Sequence, residues 1–277
     1  MKQLEVTAIQ RGCVYDGHGV RTTVFFRGCP FACPWCCNPE TLYSSPTYFL
    51  NDDKCLKQKG IVSSLCSLCV RKGGNVSLSE CSFGVYEPTS KLYDTYQILE
   101  EVKRDEEVFR KSGGGVTLSG GDPLIHADSL KPFLECLSKE DISCAIETSL
   151  YFKQTDIFES IIMYIKEWIV DLKLQTENYK TDYLDVVSCN LTLLRKKGRD
   201  IRFRLVYVDS LKVENVLNTF ALLKINTVEV IKCHALSKVK YQKLGLAFAD
   251  YSPSEENYSR FVCDLKNGGI DVNQLKI

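Results

Sequence analysis

From residue 89 onward the apolar positions follow two alternating rhythms. Short runs of mostly apolar residues occur at GVTLSG (115–120), ISCAIET (142–148), WIVDLK (168–173), IRFRLVYV (201–208) and TVEVIKC (227–233). Between them lie longer stretches with apolar residues three and four apart: LYDTYQILEEVKRDEEVFRKSG, ADSLKPFLECLSKE, TDIFESIIMYIKE, NYKTDYLDVVSCNLTLLRKKG and KVENVLNTFALLK. The short runs predict buried strands and the longer stretches amphipathic helices. In the first helix Tyr96, Leu99 and Val102 share the apolar face. Adding TTVFF at 22–26 gives six strands separated by helices. Such alternation makes an α/β fold with parallel strands and right-handed crossovers. Six units are too few for a closed eightfold barrel, so the pattern predicts a partial, open (β/α)6 TIM-like barrel. No internal repeat or long linker divides it.

Polar residues collect where these strands end. TTVFF runs into a cysteine-rich loop, GVTL into Ser119-Gly120-Gly121-Asp122-Pro123, and ISCAI into Glu147-Thr148-Ser149. WIV runs into Asp171-Leu172-Lys173, and TVEVIK into Cys233-His234. In α/β barrels the C-terminal strand ends carry function.

Composition narrows the chemistry. The 277 residues are 44% hydrophobic and 25% charged with a formal net charge of zero. That suffices for a core and gives no bulk electrostatic reason to expect nucleic acid or a charged membrane surface as partner. MKQLEVTAIQRG lacks the apolar region of a signal peptide, and IFESIIMYIKEWIVDL is interrupted by Glu159, Lys166 and Glu167. The expectation is a cytoplasmic protein without a membrane span. Fourteen cysteines in a reducing compartment then point to metal or catalysis rather than disulfides.

Four of those cysteines crowd RGCPFACPWCCNPE (27–40): Cys29, Cys33, Cys36 and Cys37. The first three form C-x3-C-x2-C. Zinc sites close with four ligands, commonly from C-x2-C pairs, and His18, His126 and His234 do not stand at finger spacing. A [4Fe-4S] cube takes four cysteines, so three from one loop leave one iron open. Cys37, adjacent to Cys36, is expected to point elsewhere. A structural zinc knuckle is the competing reading.

The C-x3-C-x2-C loop with Trp35 before its last cysteine resembles the radical S-adenosylmethionine (SAM) enzymes. The wider text DGHGVRTTVFFRGCPFACPWCCNPE is similar to the glycyl-radical-enzyme activating enzymes, and the similarity runs from about residue 10 to about residue 246. The resemblance implies that the open iron chelates SAM. One-electron reduction then yields methionine and a 5′-deoxyadenosyl radical, which takes a hydrogen from one glycine of a large partner, a glycyl radical enzyme. It also implies anaerobic chemistry, a flavodoxin- or ferredoxin-type reductant and a monomer. The nearest rival is a radical SAM enzyme acting on another peptide or a small molecule. A non-catalytic electron-transfer or zinc-binding module is a rival of another class.

The same resemblance assigns candidates for the cofactor site. SGGDP is similar to the family's GGE motif, so Gly120, Gly121 and Asp122 are expected at the SAM ammonium, with Asp122 shorter by one methylene. Lys173 is expected at the SAM carboxylate, and Arg204 and His234 at SAM. Glu147 and Asp171, with Thr148, are candidates for a monovalent cation beside it. Asp16, in the DGHG turn that Arg21 helps to anchor, is expected where the substrate peptide enters. His126 is expected to open a helix. Residues 43–89 form a Cys-rich, ferredoxin-like insert into a barrel made of 1–42 and 90–277. Its Cys55, Cys66, Cys69 and Cys81 suffice for one second [4Fe-4S] cluster, with zinc or no metal as alternatives. Cys13, Cys37, Cys136, Cys144, Cys189, Cys233 and Cys263 are expected to be mostly core thiols.

Overall fold

The computed structural model describes residues 3–56, 59–61, 66, 81–174 and 180–275. Its strands are β1 (Leu4–Cys13), β2 (Arg21–Phe26), β3 (Tyr48–Leu50), β4 (Tyr86–Pro88), β5 (Lys91–Tyr93), β6 (Gly115–Gly120), β7 (Ser143–Thr148), β8 (Glu167–Asp171), β9 (Asp200–Tyr207), β10 (Thr227–Lys232) and β11 (Asp271–Leu275). Its helices are α1 (Thr95–Lys103), α2 (Glu106–Ser112), α3 (Ala127–Lys139), α4 (Asp156–Ile162), α5 (Tyr183–Lys196), α6 (Val213–Leu223), α7 (Lys238–Leu244) and α8 (Glu255–Asn267).

One sheet runs β11-β10-β9-β8-β7-β6-β2-β1-β5. The six expected strands, β2 and β6 to β10, lie side by side and parallel. β11 extends them in parallel, whereas β1 is antiparallel to both β2 and β5. The sheet ends in two edges, β11 and β5, so the barrel stays open. The strands are buried on both faces: outward-facing Val116, Leu118, Ile146, Trp168, Val170, Leu205 and Val230 are all fully buried, and the inward face mixes buried Ala145 and Ile169 with buried Thr117, Arg204 and Glu229. Helices cover the outer face, α3 with Leu130, Phe133, Leu134 and Leu137, and α5 with Val187, Leu191 and Leu194. That double burial is why the sequence reads as unbroken apolar runs. β3 and β4 pair separately, antiparallel, at the two ends of the cysteine-rich segment. No helix among the described residues is long and apolar enough to cross a membrane.

Three expectations are corrected. The stretch 92–113 forms two helices, because Asp105 turns toward β1 and β2 to accept from Arg11 (2.5 Å) and Thr22 (2.6 Å). A capping box between Asp94 and Gln97 starts α1. Its buried face is Ile98, Leu99 and Val102, while Tyr96 is 57% exposed. Among the seven remaining cysteines only Cys144 and Cys233 are buried; Cys37, Cys189 and Cys263 are exposed. Cys189 and Cys263 lie on the outward faces of α5 and α8, between buried neighbours one or two residues away.

Candidate active site

The cysteine loop leaves β2 at the C-terminal mouth of the barrel. Cys33 is buried, Cys29 and Cys36 are half-buried, and Cys37 is exposed. The amide of Cys36 donates to the Cys33 carbonyl at 3.0 Å and closes a tight turn. Trp35 is buried edge-on against Tyr251. Burial pushes the Cys29 thiol up to about 12, and it also raises Cys33 and Cys36. Charge on Cys33 raises Cys29 further, and Cys29 and Cys33 both raise Cys36, so the three sulfurs lie within electrostatic reach of one another. All three are free thiols.

The mouth is assembled by close backbone approach. The Asp122 amide donates to the Gly28 carbonyl at 2.7 Å, and the Gly121 amide to the Phe26 carbonyl at 2.9 Å. A Cβ on Gly121 would stand 1.9 Å from the Gly28 oxygen. Only glycine lets the loop after β6 lie against the root of the cysteine loop. His126, at the N-terminus of α3, adds a 2.5 Å contact from Nε2 to the Arg27 carbonyl. From the far side of the mouth, the Tyr241 hydroxyl on α7 donates to the carbonyls of Cys36 (3.2 Å) and Pro34 (3.3 Å). Lys240 donates to Asn38 (2.8 Å) and Glu40 (2.6 Å).

Charged side chains line the interior below. Arg204 pairs with Glu147 at 2.6 Å and with Glu229 through Nε (3.2 Å) and Nη2 (3.1 Å). Arg202 joins the ladder through Glu229 and Glu167. Burial acts to raise the Glu147 carboxyl, but Arg204 and the Ser119 hydroxyl outweigh it and hold it below the usual range. Lys173 bonds Asp171 at 2.5 Å. Burial works against its charge, yet Asp171 and the Cys33 and Cys29 sulfurs hold the ammonium well above its ordinary value. Lys173 therefore faces the cysteine loop. Asp171 Oδ1, His234 Nδ1 and Glu40 Oε2 are buried without a hydrogen-bond partner.

Asp122 departs from expectation. It is 2% exposed and its carboxylate is consumed by the protein. Oδ1 accepts from Thr148 Oγ1 (2.7 Å) and the Leu124 amide (3.2 Å); Oδ2 accepts from Ser149 Oγ (2.5 Å) and the Ser149 amide (3.0 Å). Its position before Pro123 is that of an N-cap.

Asp16 lies beside Cys13, on a turn that precedes β2 and not in the Cys29–Cys37 loop. The turn 14–20 enters the interior from the N-terminal end of the barrel, between the end of β1 and the start of β2. Thr23 donates to the Asp16 carboxylate (2.6 Å) and Thr117 to its carbonyl (2.6 Å). The His18 amide donates to Glu167 (3.0 Å), and Arg204 Nη2 to the Tyr15 carbonyl (2.7 Å). Burial and the nearby Glu147 charge raise the Asp16 carboxyl. Arg21 is 1% exposed and anchors this region through Thr117 (3.0 Å) and the Val116 carbonyl (2.5 Å). In the insert, Cys55 is buried and Cys66 and Cys81 are half-buried, while Cys69 lies outside the described residues.

Among the described residues no three His, Cys, Asp or Glu side chains converge as tightly as a single metal ion requires. A cube spreads its ligands more widely, and three free thiols on one tight loop suit it. Beside them lie a glycine cradle, an ammonium and unpartnered buried acceptors, which suit a zwitterionic ligand. The donor set therefore fits both a cluster with one open iron and SAM. Sequence reasoning missed Glu229, Arg202, Lys240, Tyr241 and Tyr183, because nothing local marks a side chain that acts across the barrel.

A family described as "4Fe-4S single cluster domain" matches residues 15–193. The pyruvate formate-lyase 2-activating enzyme of Escherichia coli (strain K12) is 33% identical over 246 residues, covering 86% of this chain and 80% of that protein. The benzylsuccinate synthase activating enzyme of Thauera aromatica is 28% identical, covering 96% and 89%. The 4-hydroxyphenylacetate decarboxylase activating enzyme of Clostridium scatologenes is 31% identical, covering 88% and 87%. Likeness to solved structures is looser: native anSMEcpe with bound AdoMet and a peptide overlaps at a TM-score of 0.46 and 14% identity, covering 72% of this chain and 59% of that one.

Proposed function

Since the chain belongs to the glycyl-radical-enzyme activating enzymes of the radical SAM superfamily, we propose that it installs a glycyl radical on a large partner enzyme. When bound and reduced, the [4Fe-4S] cluster supplies the electron that splits SAM into methionine and a 5′-deoxyadenosyl radical, which takes hydrogen from the partner's glycine. The observation that carries the reading is the meeting of the three-thiol loop with the Gly120-Gly121 cradle and Lys173 at one barrel mouth.

Each residue then has a task. Cys29, Cys33 and Cys36 hold the cluster and leave one iron for SAM. Gly120 and Gly121 offer backbone to the ammonium, and Trp35 walls the site. Lys173 is charged at neutral pH and meets the carboxylate. Arg204 and His234 border SAM from β9 and the end of β10. Asp171 Oδ1, with Glu147 and Thr148, forms the candidate site for a monovalent cation. Asp16, on the turn that plugs the inner end, closes the floor of the cavity that the partner's peptide would reach through the mouth.

Residues 43–89 form an insert in which Cys55, Cys66, Cys69 and Cys81 bind a second [4Fe-4S] cluster. The protein acts as a cytoplasmic monomer served by a flavodoxin- or ferredoxin-type reductant. The test is anoxic incubation of reconstituted, reduced protein with SAM and the candidate partner. The expected result is 5′-deoxyadenosine together with a glycine-centred doublet in the electron paramagnetic resonance spectrum. Deoxyadenosine without the doublet would point to another substrate, and neither product would sink the reading.

A further inference from the structure

The carboxylate of Asp122 is bound on every side by the protein's own donors, and those donors belong to the neighbouring strand end. Thr148 ends β7 and Ser149 follows it, whereas Asp122 follows β6. The same two hydroxyls also shape their own loop: Thr148 Oγ1 accepts from the Leu150 amide (3.0 Å), and Ser149 Oγ from the Tyr151 amide (3.3 Å). Leu150 is thereby held at φ +58, a left-handed conformation that leucine rarely adopts. Asn190 on α5 fixes the loop from outside, donating to the carbonyls of Leu150 (3.0 Å) and Phe152 (2.7 Å).

The chain of contacts continues to a third strand end. The fully buried Tyr183 donates its hydroxyl to the Ser149 carbonyl (3.3 Å) and accepts from the Lys173 amide (3.0 Å). One path of hydrogen bonds thus runs Asp122, Ser149, Tyr183, Lys173. It ties the ends of β6, β7 and β8 together. A carboxylate one methylene longer would drive into Ser149, which is itself 4% exposed.

From this we infer that Asp122 is a positioning residue. It locks the Gly120-Gly121 backbone and Lys173 at a fixed separation and does not itself touch the SAM ammonium. The inference rests on the reading that SAM binds at this mouth. It assigns the ammonium to backbone carbonyls of the glycine cradle.

The test compares Ser149→Ala and Asp122→Glu in the cluster-loaded protein. A clamp predicts that each raises the KM for SAM about tenfold while kcat stays within about twofold and iron content is unchanged. An ammonium ligand predicts the reverse pattern: Asp122→Glu keeps the wild-type KM and Ser149→Ala has no effect, which would overturn the inference. A second measurement needs no SAM. In Asp122→Ala the backbone amide of Ser149 loses its acceptor, so its hydrogen exchange should quicken at least tenfold relative to amides in β9. Unchanged exchange would refute the clamp. Quickened exchange in a protein whose wild type never cleaves SAM would leave the clamp standing and fail the functional reading instead.

Discussion

The two ends of the barrel interior are built on different terms. At the N-terminal end the turn 14–20 is bound by side chains from β2, β6, β8 and β9. At the C-terminal mouth the backbone is equally tight, yet three thiols are free and three buried polar atoms have no partner. At the first end the turn is matched by the protein's own side chains. The other is a rigid frame whose inner polar groups are left for something else. Stability is therefore invested at the plugged end and ligand chemistry at the mouth, and the two respond to different perturbations.

The largest effect should come from the plugged end. Arg204→Met strands the Glu147 and Glu229 carboxylates in the interior and frees the Tyr15 carbonyl. Breaking such a buried ionic network costs about 3–5 kcal/mol. A thermal melt under anoxic conditions should show a large fall in Tm; a Tm within a degree or two of wild type would break the contrast. At the mouth, Gly121→Ala forces a methyl against the Gly28 carbonyl. The strain is about 1–3 kcal/mol, smaller than the loss of Arg204, but it is delivered to the root of the cysteine loop. Iron content and SAM binding should fall more than Tm does. The contrast would weaken if melting changed and iron content did not.

The smallest effect separates two carboxyls within the interior. Burial raises Asp16 above its ordinary 3.8, while Glu147 is held below its ordinary 4.5. A carboxyl raised on folding keeps its proton in the native state longer than in the unfolded chain. Its contribution is present at low pH and lost as pH climbs from 3.8 through the folded value. Glu147 has the opposite sign: its contribution is present above 4.5 and lost as pH falls. Asp16→Asn keeps an acceptor for Thr23 and removes the charge. The variant should gain on wild type as pH climbs from 3.8 through the raised folded-state value, read as a widening gap in Tm. A constant gap across that range would show that Asp16 carries no such linkage.

Much of the frame was legible because parallel strands covered on both faces must be apolar runs, as in Trp168-Ile169-Val170. β5 and β11 were not, since KLY is three residues long and DVNQL buries only Val272 among polar neighbours. The division between α1 and α2 was hidden because the amphipathic spacing runs across it, and only the partners of Asp105 on β1 and β2 reveal the break. At the site, the residue types and strand-end positions were readable; their directions were not. Asp122 shows the difference most clearly, as a Gly-Gly-acid-Pro turn does not say which way its carboxylate faces. The donors that decide it, Thr148 and Ser149, stand 26 and 27 residues away in sequence.

The hydroxyl that steadies the carbonyl of Cys36 comes from Tyr241, 205 residues further along the chain. On the ribosome, the thiols emerge long before their brace has been synthesised. The cysteine loop is thus made unbraced, and the helix that holds it in shape follows 205 residues later. The loop can take its braced shape only once that helix has been made and has docked, so its geometry is a late product of tertiary folding.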